Sequence, residues 1–231
     1  MNAPALNKKP ALDLEKVRAD FPILAREVYG KPLVYLDSAA SAQKPKVVID
    51  AVNEVYSHEY ANVHRGMHYL SNAATEKYEE ARRTARTFFN AAQEEEIIFA
   101  AGATDAINMV ASSWLEPRIE EGDEIILSQL EHHSNIVPWH FLRERFGAVL
   151  KWIPLTDEGD VDFDAYKAAF GLRTKFVAMA QMSNALGTIT PLKEMIDIAH
   201  SHDVPVLVDG CQGAVHLSTD VQALDCDFFF F

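Results

Sequence analysis

The chain has 231 residues, 48% of them hydrophobic and 24% charged, and a formal net charge of −13. Its size suits one large domain with a real core or two small ones, and its composition is that of a soluble globular protein. The acidic balance argues against non-specific nucleic-acid binding and a basic membrane-facing patch, but not against a small anionic ligand or a protein partner recognised locally.

In chain order, residues 1–12 read as a frayed tail, basic but without the apolar run of a signal peptide. "DLEKVRADFP" reads as a short helix stopped by Pro22, and "KPLVYLDSAA" as a strand over 33–36 entering a small-residue loop. Val48, Val52 and Val55 sit at helical spacing in "KPKVVIDAVNEVYSHEY". "ANVHRGMHYLSNAA" follows as a loop, then "ATEKYEEARRTARTFFNA" as a long helix with a charged face. From there strands alternate with helices. The expected strands are "EEEIIFA", "GDEIILSQLEHHSN" (running into a polar loop), "AVLKWIPL", "KFVAMAQMSN", "VPVLVDGCQ" and "ALDCDFFFF"; the helices between them include "GATDAINMVASSWL", "IVPWHFLRERFG", "DFDAYKAAFG" and "LKEMIDIAHSHD". Alternation of this kind predicts an α/β fold with a mostly parallel sheet covered on both faces, whose strands are continuous apolar runs. No run reaches the roughly 18 apolar residues of a membrane span. Cys211 and Cys226 form neither a metal spacing nor a disulfide framework. Cytoplasmic location is the expectation.

The closing "FFFF" reads as the centre of a buried strand rather than a tail. Four exposed phenylalanines are an aggregation hazard, so the sequence predicts that the chain is cut within a domain; an edge strand at a true terminus is the alternative.

Ligands of open α/β sheets gather outside the carboxyl ends of the strands, and four polar sites fall there. Thr104 in "GATDAIN" sits near a helix N-terminus, where a hydroxyl and backbone N–H groups suit a phosphate, or where a threonine simply caps. In "EHHSN", Glu131 to Asn135, a histidine is suited to acid–base work, metal ligation or stacking on a flat ring; adjacent histidines point apart, which disfavours a chelate. Asn184 in "QMSNALGT" is a neutral donor and acceptor on a loop. Asp209 ends a strongly apolar strand, where a carboxylate is costly unless paired. A pyridinium nitrogen is one partner that explains it and a helix cap is another. Gln212, three residues on, is close enough to address the same ligand.

Together, "YLDSAASAQKP", "VHRGMHYLSNAAT", "EHHSNIVPW", "SNALGT", "VLVDGCQ" and "DVQALDCDFFFF" resemble, in this order, the Suf-type cysteine desulfurases of the class-V aminotransferase group. The resemblance runs from about Val17 to Phe231. It implies an aspartate-aminotransferase-like large domain binding pyridoxal 5′-phosphate, incomplete at its C-terminus, over 61–231, preceded by a helical segment and substrate-side loop over 13–60. By position, Asp209 matches the partner of the pyridine nitrogen, and Gln212 the glutamine near the phenolic oxygen, with Asn184 nearby. His132 matches the ring-stacked histidine and proton carrier, and Thr104 a phosphate ligand. Ala39 and Ala40 match the small-residue loop facing the substrate, and His64 and Arg65 a loop at the active site or dimer interface.

Two departures stand out. The family's Arg-Gly-Thr-Thr reads Ala-Gly-Ala-Thr here, Ala101 to Thr104. The family's Schiff-base lysine, its catalytic cysteine and its carboxylate-binding arginine have no counterpart among the 231 residues, and Cys211 and Cys226 match neither thiol role. The resemblance implies conversion of L-cysteine to L-alanine, with sulfur passed as a persulfide to an acceptor protein for iron–sulfur cluster assembly. Selenocysteine lyase activity and a homodimer often accompany it. The chain alone is expected to be inactive. The alternatives are a non-catalytic paralogue acting through dimerisation, another class-V reaction such as a kynureninase-like lysis, and a small nucleotide-binding domain, which the missing glycine-rich phosphate loop disfavours.

Overall fold

The structure, a computed structural model, describes residues 12–231. The expected tail therefore lies, apart from Leu12, outside the described residues. The backbone groups into two compact units, one running to Glu80 and the other spanning Ala81–Phe231.

In the first unit, helix α1 (Leu14–Ala19) is capped by Asp13, whose carboxylate accepts the Lys16 N–H at 3.1 Å. Pro22 then opens a 3-10 turn. The strand expected over 33–36 does not form. Strands β1 (Glu27–Val28) and β2 (Lys31–Pro32) make a two-residue hairpin instead. Tyr29 and Gly30 both take positive φ, 54° and 70°, which reverses the chain before the apolar run begins. That run is left without a partner strand, and Leu36 is 92% exposed. Helix α2 (Lys46–Glu54) continues as a π-turn over Val55–Glu59. Helix α3 (Tyr69–Phe89) begins in this unit and ends in the next. Ser71 alone is buried among the described residues to Glu80.

The second unit holds helix α4 (Ala103–Met109), strand β3 (Glu124–Ser128), helix α5 (Val137–Phe146), strand β4 (Val149–Ile153), helix α6 (Phe163–Ala168), strand β5 (Thr174–Ala180), helix α7 (Leu192–Ser201), strand β6 (Val206–Asp209), the short helices α8 (Gly213–His216) and α9 (Val221–Leu224), and strand β7 (Phe228–Phe230). The strands form one parallel sheet in the order β4-β3-β5-β6-β7. Alternate residues feed two cores. Ile126, Val177, Met179, Val206 and Val208 pack with Tyr166, Met195 and Ile196 on one face. Ile125, Leu127, Phe176, Ala178 and Leu207 pack with Ile107, Trp139 and Leu142 on the other. Burial on both faces explains the unbroken apolar runs of β5 and β6.

Two expectations need correction here. Residues 94–100 are not a strand: Glu94–Glu96 form a 3-10 turn, and residues 97–100 pair with no strand. The Ile97 carbonyl is taken by the Arg82 guanidinium rather than by a sheet ladder. "DFFFF" does supply a strand, but β7 is the sheet's edge, with Phe228 and Phe229 half-buried and Phe231 57% exposed. Among the described residues, no helix is long and apolar enough to cross a membrane.

Candidate cofactor site

Because the sheet is parallel, the carboxyl ends of β3, β5 and β6 open on one side, and the polar residues that end these strands meet there. Asp209 closes β6 and is 7% exposed. It lies opposite Ala180, the last residue of β5. Its Oδ1 accepts the Cys211 N–H at 3.0 Å. Among the described residues no lysine or arginine is paired with it, so an anion sits at a strand end without a cation. Burial, and secondarily the Asp209 charge, pushes the Cys211 thiol up to about 12.

The turn after Asp209 is shaped by two close approaches. A Cβ on Gly210 would lie 2.1 Å from the Phe229 ring, and one on Gly213 would lie 1.9 Å from Gln181 Oε1. Neither position has room for a side chain. Gln181, just beyond β5, donates through Nε2 to Thr219 Oγ1 at 3.1 Å, and both residues are buried. Gln212 stands at the N-cap of α8, half-buried.

The loop after β3 carries the histidines. His132 and His133 are exposed, and their rings lie 6.0 Å apart at 57°. His132 Nδ1 accepts the Ser134 N–H at 3.2 Å and lies 3.0 Å from the Ser134 hydroxyl. That hydroxyl lies 2.9 Å from Thr104 Oγ1, in the first turn of α4. The structure thus joins Thr104 and His132, which the sequence presents separately, through Ser134, a residue that the sequence pattern does not single out. With Nδ1 accepting, a neutral His132 carries its proton on Nε2, at the exposed edge of the ring.

The sequence pattern does not assign a role to Glu131 either. It is buried, accepts from Ser128, Ala180 and Asn135, and its carboxyl is pushed up to about 7 by burial, which those donors partly offset. A carboxylate directly after an apolar strand is the signal that could have found it, and the adjacent histidine pair masks it.

Asn184 is exposed, in a turn closed by the Ser183 hydroxyl, which accepts the N–H groups of Ala185 and Leu186 at 3.2 and 3.1 Å. No hydrogen bond brings it to Asp209 or His132. The remaining predicted residues belong to the first unit. Ala39 and Ala40 are exposed in a turn where the Ala40 N–H meets the Asp37 carbonyl at 3.2 Å. His64 takes φ 62°, donates its N–H to Thr75 Oγ1 at 3.0 Å, and pairs with Glu79 at 2.9 Å. Arg65 beside it is exposed.

This donor set fits pyridoxal 5′-phosphate. A buried carboxylate lacking a cation suits a protonated ring nitrogen, a histidine with a defined tautomer suits a flat ring, and a hydroxyl at the start of a helix suits a phosphate. Fold and site together define a protein of the pyridoxal-phosphate-dependent α/β class. The chain belongs to the class-V aminotransferase family, whose model matches residues 34–231. A cysteine desulfurase of Escherichia coli (strain K12 / DH10B) is 54% identical over 218 residues, covering 94% of this chain and 54% of the relative. Among solved structures, the E. coli cysteine desulfurase CsdA superposes with a TM-score of 0.81 at 40% identity, over 93% of this chain and 53% of that one. The apo cysteine desulfurase of Thermococcus onnurineus NA1 gives 0.85 at 38% identity, over 94% and 52%. The chain therefore spans about half the length of the relatives it matches.

Proposed function

We propose that this chain is the cofactor-holding portion of a pyridoxal-phosphate-dependent cysteine desulfurase of the Suf type. The whole protein would convert L-cysteine to L-alanine and pass the sulfur as a persulfide to an acceptor protein for iron–sulfur cluster assembly, with selenocysteine as a second substrate. It would work as a homodimer. When bound, the cofactor supplies an electron sink for the charge left at the substrate's Cα.

The residues of this chain have separate tasks in that reading. Asp209 keeps the ring nitrogen protonated. His132 offers its Nε2 edge to the ring and to a moving proton, while Ser134 holds its Nδ1. Thr104 binds the phosphate, with Ala101 and Ala103 adding no side-chain donor. Gln212 and Asn184 address the polar edge of the ring, Ala39 and Ala40 leave space for the amino acid, and His64 and Arg65 border the site or the dimer interface.

The observation that carries the reading is Asp209, a buried anion without a cation at the end of β6. Replacing it by asparagine removes the charge and keeps the shape. Asp209→Asn is expected to weaken pyridoxal phosphate binding roughly 10- to 100-fold, the range of one charge-assisted contact. Titration of the cofactor absorbance band measures this, and an unchanged affinity would remove the basis of the proposal.

A further inference from the structure

Glu131 makes none of the cofactor contacts proposed above, yet it joins three elements at the edge of the site. Its Oε1 accepts from the Ser128 hydroxyl at the end of β3 (2.5 Å) and from the Ala180 N–H at the end of β5 (3.0 Å). Its Oε2 accepts from Asn135 Nδ2 at 2.7 Å, just before α5. The far side of Asn135 is fixed as well, because Oδ1 accepts the Trp139 indole N–H at 3.2 Å. Asn135 and Trp139 are fully buried.

We propose that Glu131 is a positioning residue of the candidate site: by clasping Asn135 across the turn 132–134, and anchoring that turn to Ser128 and Ala180, it sets the orientation and tautomer of His132. The geometry is specific. Glu131 and Asn135 flank the three residues of the turn, and the Asn135 N–H also bonds the His132 carbonyl at 2.8 Å. Inside the clasp, Ser134 reaches His132 Nδ1. Ala180, which anchors the other oxygen, pairs in register with Asp209. One carboxyl thus ties the histidine loop to the strand end that carries the buried anion. The significance of this for a cofactor rests on the proposed reading of the site; the positioning itself does not.

Glutamine cannot replace glutamate here. Both oxygens of Glu131 accept, so an amide must turn its NH2 either to the Ala180 N–H or to the Asn135 NH2. Flipping Asn135 only moves the conflict to the Trp139 N–H. One buried donor stays unpartnered in every arrangement.

The test is nitrogen-15 NMR of histidine-labelled chain, with the His132 signals assigned by their loss in His132→Gln. The unaltered protein is expected to show His132 protonated on Nε2. Glu131→Gln is expected to mix the two tautomers, and Ser128→Ala, which removes one donor of three, to do so less; the milder variant decides the matter if the first does not fold. Tyr166→Phe, which loses a buried hydrogen bond to the Met195 carbonyl in the other core, is the control and should leave His132 unchanged. A pure Nε2 tautomer in both Glu131→Gln and Ser128→Ala, or an equal disturbance in the control, overturns the proposal. Titrating the same samples with pyridoxal phosphate separates the two readings. Affinity roughly tenfold weaker in Glu131→Gln supports both. A tautomer shift in a protein that binds no pyridoxal phosphate upholds the positioning and removes the cofactor.

Discussion

Two thiols lie in the second unit, and both are held in the protonated form. Burial, with a smaller contribution from the Asp209 charge, pushes Cys211 up to about 12. Burial likewise pushes Cys226 up to about 11, with Asp225 and Asp227 adding to it. A thiol is nucleophilic only as thiolate. Near pH 8 these two are therefore poor nucleophiles, in keeping with the view that neither carries sulfur. Iodoacetamide labelling of the folded chain is expected to run about 100-fold or more slower at each than at an unhindered cysteine, and to reach the ordinary rate in urea. Fast labelling of Cys211 in the native protein would contradict the environment described here. At this scale the sequence singles out Asp209 and His132, because a carboxylate ending an apolar strand and a histidine in a strand-end loop are chemically out of place, and both lie at strand ends in the fold. It hides Ser134 and Gln181, because their roles depend on Thr104 and Thr219, 30 and 38 residues away.

At the scale of elements, the carboxyl ends of β3 and β5 and the start of α5 are drawn together by one buried acid, and this makes stability depend on pH. Glu131 is raised from 4.5 to about 7 in the folded protein, so the native state holds a proton that the unfolded chain has released. Its contribution is fully present below about pH 4.5 and is lost as pH rises through about 7, a change of roughly 3 kcal/mol at most. Asp209, His132 and His133 are present in both the protein and Glu131→Gln. The stability difference between the two, from urea melts at pH 5 to 8, should therefore shrink as pH rises; a flat difference would contradict the shift. The pattern that reveals the sheet works best for β3, β5 and β6, whose central residues are apolar and buried on both faces. It fails where the pattern is apolar without a neighbour. The run 33–36 and the run 94–100 both look like strands, and neither finds a partner: a hairpin turns the chain before the first, and Arg82 takes the Ile97 carbonyl in the second. Pairing is decided by what lies alongside, which a local pattern does not contain.

For the molecule as a whole, the question is whether the cofactor set and the covalent chemistry reside in the same stretch of chain. The second unit contains four lysines, and none offers its amine at the strand ends by Asp209. Lys151 is bound to Glu124 at 2.8 Å and to the Ala169 carbonyl at 2.8 Å. Lys167 pairs with Asp164 and Lys193 with Asp197, both on exposed helix surfaces. Lys175 is exposed near the start of β5, at the opposite end of the strand from Ala180. On the proposed reading none of these four amines is placed to bond the cofactor, and the 231-residue polypeptide should bind pyridoxal phosphate reversibly. After borohydride treatment with the cofactor present, peptide mass spectrometry is expected to find no stoichiometric adduct on Lys151, Lys167, Lys175 or Lys193, and dialysis without reduction should return the cofactor-free protein. Alanine release from L-cysteine should stay at the rate of free pyridoxal phosphate. A single lysine of the second unit labelled to completion, or alanine formed well above that rate, would show that the site described here is arranged differently in solution.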